Sequence, residues 1–202
     1  MAQAGSIDVN AIVQRIRRLA MLDTSVFGEI RDDASATIPA AIVVVVATFL
    51  TGIGGWLWYE MQDYNVEAGK FLLNSAIFGS VLAIALWVVW VGVTYVMLSQ
   101  VFRARADLNQ LIRVMGFAAA PLALGVLLFI PGLDYGIGLT SFALLFGLTT
   151  IAVQSATDAS AGRVLAANGA GFAVWAIVLQ LFVSGSNFWD AYAPGIFVFA
   201  PR

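Results

Sequence analysis

Cysteine and histidine are both absent from this chain, and that removes much of protein chemistry. Disulfides, thiolate nucleophiles, imidazole acid–base catalysis and the commonest ligands of zinc, haem and iron–sulfur clusters are excluded together. Charge is scarce as well. Only 11% of the 202 residues are Asp, Glu, Lys or Arg, against about 25% in an average soluble domain. The net charge of −2 comes without a long basic run, which argues against nucleic acid as a partner, because neutralising phosphates needs clustered Lys and Arg. What the chain has instead is apolar length. It is 61% hydrophobic, its mean hydropathy is +0.91, and five apolar stretches follow a polar N-terminal segment.

Backbone polar groups without partners cost several kcal/mol in hydrocarbon, so apolar stretches of this length read as spanning helices. They are Ile38–Leu57, Asn74–Leu98, Val114–Ile130, Tyr135–Val153 and Val164–Ser184. The expected fold is an all-α polytopic membrane protein with five transmembrane helices and an N-terminal amphipathic interfacial helix. Residues 1–37 form the segment before the membrane, 38–184 the five-helix domain and 185–202 an apolar, aromatic tail. Pro131-Gly132-Leu133-Asp134 is a tight turn that should pair spans three and four as a hairpin. The first long apolar run begins too late for a cleavable signal, so the N-terminus is expected to be retained.

Basic residues set the orientation. With the N-terminus inside, Arg15, Arg17, Arg18, Arg31, Arg103, Arg105, Arg113 and Arg163 share one side, leaving Lys70 and Arg202 on the other. The positive-inside rule therefore predicts a cytoplasmic N-terminus and an outside C-terminus.

Ahead of the spans, Asp8 can cap a helix in which Val9, Ile12, Val13, Ile16, Leu19 and Ala20 recur at helical spacing. Ile12, Arg15, Ile16, Arg17 and Arg18 are the expected membrane-surface residues, with docking onto a partner protein as the alternative. A second short helix is expected around Val26–Ile30, capped by Asp23 or Thr24, although Gly28 weakens it.

Inside the spans chemistry is sparse. Ionisable residues fall at span ends, and Asn74, Asn168, Gln154, Gln180 and scattered hydroxyls read as interhelical glue. Glu60, Asp63 and Glu67 read as a solvated acidic loop rather than a calcium site. Small residues in spans three and five, Gly116 and Ala120 in one and Ala166 through Ala173 in the other, predict close internal packing. Pro121 should kink span three. Trp87 and Trp90 stand three residues apart in mid-span, where each indole N–H wants a partner. They pack internally or, with Trp189, Tyr192 and Phe197 of the tail, touch another subunit, a lipid or a hydrophobic pigment.

Two stretches carry a family resemblance. Val26-Phe27-Gly28-Glu29-Ile30-Arg31-Asp32-Asp33-Ala34-Ser35-Ala36, and Tyr95 through Phe117 with Pro121, resemble prokaryotic members of the Ypt-interacting protein (Yip) domain family. Phe27, Glu29, Asp33, Arg113, Gly116 and Pro121 are the family-like positions. Eukaryotic members resemble adaptors that bind Rab-type GTPases in membrane traffic. The short N-terminal segment here lacks their long polar extension, which points instead to a prokaryotic cytoplasmic membrane. The resemblance implies no catalytic residues and no cofactors.

The functional expectation is a non-enzymatic scaffold or accessory subunit of a larger membrane complex, respiratory or photosynthetic, seated in the lipid bilayer among other membrane subunits. Two alternatives stay open: a carrier for a small neutral or lipidic solute, and a membrane-shaping or trafficking adaptor.

Overall fold

A computed structural model describes residues 8–61 and 72–183. The tail with Trp189, Tyr192 and Phe197, and the loop acids Asp63 and Glu67 with Lys70, lie outside the described residues. Among those described, helices account for every regular element, and the only extended pairing is a single bridge between Ala106 and Thr157.

Helix α1, Val9–Ala20, begins where Asp8 caps it: the Asp8 carboxylate accepts from the Asn10 and Ala11 amides at 2.9 and 3.2 Å. It ends on Leu22, a non-glycine residue in the left-handed region at φ 61°, which turns the chain back towards the bundle. The amides of Met21, Leu22 and Asp23 close onto the carbonyls of Arg17, Arg18 and Leu19, as in helix ends that normally place glycine at this position. Helix α2, Val26–Asp32, follows. Asp23 does not cap it directly. Its carboxylate accepts from the amide and hydroxyl of Ser25 and so shapes the turn that precedes the helix.

Five helical stretches are long and apolar enough to cross a membrane: Ala34–Trp58, Ala76–Val101, Leu108–Phe129, Asp134–Ser155 and Ala161–Leu179. They form a closed ring in which the first packs on the third, the third on the fourth, the fourth on the fifth, the fifth on the second, and the second on the first. The turn between spans three and four has Gly132 at φ 80°, a conformation that glycine adopts without a Cβ penalty. Span three starts six residues earlier than its hydropathy suggests, since Asp107 caps it through the Gln110 amide and its polar first turn lies at the end of the bundle.

Winding varies along the spans. Span two carries π-helical turns at Leu73–Gly79 and Met97–Val101. Span three is α-helical over Leu108–Ala118 and 3-10 over Ala120–Phe129. Pro121 has no amide hydrogen to give the preceding turn, and the change of winding falls there. A 3-10 helix stacks every third residue. Leu122, Gly125 and Leu128 accordingly form one buried line facing inward.

Glycines mark where backbones meet. Gly54 of span one faces the Gly125 carbonyl of span three, and Gly171 of span five lies against Trp90 of span two. Small residues permit such approaches and the dispersion contact that holds membrane helices together. Not all the small residues of span five serve this purpose: Ala167 and Gly171 face inward, whereas Ala166 and Ala173 are exposed.

Candidate functional site

Among the described residues, the end of the bundle that carries α1 and α2 gathers nearly all the charge, and the two short helices are riveted to it. Val26, Phe27 and Ile30 of α2 are completely buried. Arg113, half-buried in the third span, donates from Nε to the Thr37 hydroxyl at 3.0 Å and from Nη1 to the Arg31 carbonyl at 2.9 Å. One guanidinium therefore ties the segment entering span one to span three. Arg31 extends the tie to span four by donating to the Ser155 carbonyl at 2.8 Å, while its other nitrogens hold Asp32.

Helix α1 docks through its own arginines. Arg15 pairs with Asp33 at 2.6 Å and lies over the Phe117 ring, 5.7 Å from its centre. Arg18 reaches Asp23 at 2.7 Å and both Glu29 oxygens at 2.7 and 2.8 Å. These contacts shift the groups in the expected directions. The Ser35 hydroxyl, then Arg15, holds the Asp33 carboxyl below the usual carboxylate range. The Ser25 hydroxyl, then Arg18, does the same for Asp23, and Arg31 for Asp32. Bonds to Glu29 and Asp23 raise Arg18 further above its already high range.

All the family-like positions except Pro121, which stands deeper in span three, meet at one junction. Phe27 fills its core, Glu29 and Asp33 anchor α1, Arg113 joins the spans, Gly116 allows the first and third to touch at Ala40, and Pro121 ends the α-helical half. Arg15 and Arg18 of the expected membrane-surface set are engaged inside the protein. Ile12 is buried, Ile16 packs against the core, and Arg17 is exposed with no hydrogen-bond or ion-pair partner among the described residues.

Beside this junction lies an open cleft of about 690 Å³. Arg31 and Asp32, Arg105, Asp107 and Gln110 from the loop and start of span three, and Thr157 and Asp158 from the loop before span five line it. Its loops are pinned to each other: Asp158 accepts from the Arg105 amide at 2.8 Å, and the Thr157 hydroxyl donates to the Arg105 carbonyl at 2.9 Å. Both signs of charge face the opening. Among the described residues no group of three or more acidic side chains could hold a metal.

In mid-bundle, Trp90 is wholly buried, and its indole N–H is shared between the backbone and side-chain oxygens of Asn168 at 3.2 and 3.0 Å. The Asn168 amide donates in turn to the hydroxyls of Thr149 and Thr150 at 3.0 and 2.9 Å. Spans two, four and five are joined by one polar chain. Trp90 meets the rings of Phe172 and Trp175 at 5.2 and 5.6 Å, and these in turn meet Phe146 and Phe142 at 5.1 and 6.0 Å. Trp87 is 7% exposed, and its indole nitrogen is buried without a partner. Trp175, which the sequence did not single out, donates to the Ala83 carbonyl at 3.3 Å.

Five apolar helices in a closed ring, with short amphipathic and buried helices fixed to one end, define a polytopic α-helical membrane protein. The Yip1 domain matches residues 22–185, most of the chain, and the protein belongs to that family. No curated protein and no solved structure matches it. The family is not one of known enzymes.

Proposed function

We propose that the protein is a non-catalytic membrane adaptor, a scaffold or accessory subunit that offers the rigid polar platform at its N-terminal end to a partner protein. The observation that carries this reading is the disposition of charge. Asp23, Glu29, Asp33, Arg15, Arg18, Arg31 and Arg113 stiffen the platform through mutual bonds, whereas the adjoining 690 Å³ cleft keeps Asp107, Gln110 and Asp158 on an open face. With the N-terminus inside, as the arginine distribution favours, the platform is cytoplasmic. A prokaryotic cytoplasmic membrane is the setting that fits the short N-terminal segment.

Packing supports an adaptor over a solute carrier. The hydroxyls of Thr48, Thr149 and Thr150 turn to the preceding helical turn and that of Thr51 also to the Leu122 carbonyl of span three, while those of Ser80 and Thr94 are buried without a partner. The void beside Thr51, Gly125 and Ser141 measures about 10 Å³, which accommodates at most one water. Reconstitution in liposomes tests the two readings. The adaptor account expects no flux of glycerol or other small neutral solutes above protein-free vesicles; protein-dependent flux would favour the carrier.

A further inference from the structure

A second concavity, unrelated to the polar cleft, opens sideways from the bundle beneath α1. Its volume is about 550 Å³, within the range of about 300–1,000 Å³ usual for small-molecule sites. Ile16, Leu19, Ala20 and Leu22 roof it; Pro121, Ala123, Leu124 and Leu127 of the 3-10 segment form one wall; Leu144 and Leu148 of span four form the other. None of the lining residues is charged. The 3-10 winding is what creates the wall. Because every third residue stacks, Pro121, Leu124 and Leu127 line up towards the groove while Leu122, Gly125 and Leu128 line up towards the core.

The roof is equally particular. One flank of α1, with Ile12, Leu19 and Arg15, is used for docking, whereas Val9, Val13, Met21 and Leu22 remain 56–69% exposed. Leu22 holds a backbone conformation that disfavours every residue with a Cβ, and an apolar side chain stands at the groove mouth as a result. Arg17 is not itself part of the lining but stands one helical turn before Ala20, which is. Its neighbours Arg15 and Arg18 are paired with Asp33, Asp23 and Glu29, so among the described residues Arg17 is the uncompensated charge of α1.

From these features we infer that the groove holds one acyl chain of an anionic glycerophospholipid, whose headgroup phosphate pairs with Arg17. The groove faces sideways among membrane-depth residues, where acyl chains are the surrounding medium. A cation one helical turn from the lining residue Ala20, with the nearby acids already paired, selects a negative headgroup. This site is independent of the polar platform and does not rest on the adaptor reading.

The test uses the full chain, purified in mild detergent, stripped of lipid and titrated with phosphatidylglycerol or phosphatidylcholine of identical acyl chains, with adducts counted by native mass spectrometry. The expected result is one retained phosphatidylglycerol, at least fivefold preferred over phosphatidylcholine. Arg17→Gln should erase the preference. Ala20→Phe, an exposed position where folding is not at stake, should reduce binding of both lipids by partly closing the mouth. Equal retention of the two lipids by the unaltered protein, an unchanged preference in Arg17→Gln, or palmitate binding as tightly as phosphatidylglycerol would overturn the inference.

Discussion

Gly116 and Ala40 meet so closely across spans three and one that a Cβ on Gly116 would stand 2.7 Å from the Ala40 Cβ and 3.0 Å from its carbonyl oxygen. Neither obstacle is the end of a flexible side chain, so the helices themselves would have to separate. Gly116→Ala is expected to destabilise the bundle by about 1–3 kcal/mol, with partial recovery in the double variant carrying Ala40→Gly. Gly54→Ala should be worse. There the added carbon would meet the Gly125 carbonyl at 1.9 Å, and no side-chain change relieves backbone. Unfolding in micelles at increasing denaturant gives the order.

Arg113 makes two bonds at fixed angles, one to a hydroxyl and one to a carbonyl. A lysine at this place satisfies at most one of them without strain. Arg113→Lys should cost about 1–2 kcal/mol and raise amide exchange of the segment from Asp33 into the start of span one. The Trp90–Asn168 pair should remain protected.

That pair can be weighed by a double-mutant cycle. Hydrogen bonds between membrane helices average about 0.6 kcal/mol and reach about 1.7. Trp90 and Asn168 are fully buried and share a three-centre bond. Trp90→Phe with Asn168→Leu should show a coupling energy near the upper end of that range. Additive single effects would mean that packing alone holds spans two and five.

Acid should loosen α1. Asp33 and Asp23 have carboxyls held below their ordinary range, so the stability they contribute is complete above the unfolded value near pH 3.9 and lost as the pH falls through their lower folded values. Because the chain has no cysteine, Val13→Cys gives a single labelling position. A fluorophore there should report unchanged docking of α1 from pH 8 to about pH 5 and progressively weaker docking below about pH 4. Asp33→Asn should weaken docking at neutral pH by less than about 1 kcal/mol, since the Arg15 pair is partly solvated, and should flatten the acid response.

The five spans and α1 were legible because hydropathy and helical spacing are properties of side chains in order. The 3-10 winding after Ala119, the π-helical turns of span two and the Gly54–Gly125 approach were not, because they depend on which backbone faces which. Pro121 signalled a break without saying what winding follows. Arg113 explains the late start assigned to span three: hydropathy counts a charge against a span, but here Thr37 and the Arg31 carbonyl receive it. The same holds for Arg15 and Arg18 of α1, whose partners Asp33, Asp23 and Glu29 come into reach only in the fold. Asn168 read correctly as interhelical glue, but only the fold could name Trp90 as its partner.

The adaptor account is tested most directly by the native mass of the protein extracted gently from its own membrane, beside a variant carrying Arg105→Glu and Gln110→Lys in the polar cleft. The account predicts an assembly heavier than the 21.5 kDa chain that is lost in the variant while the five-span domain stays folded. Recovery of the unaltered protein as an isolated monomer, or an assembly indifferent to both substitutions, would contradict it.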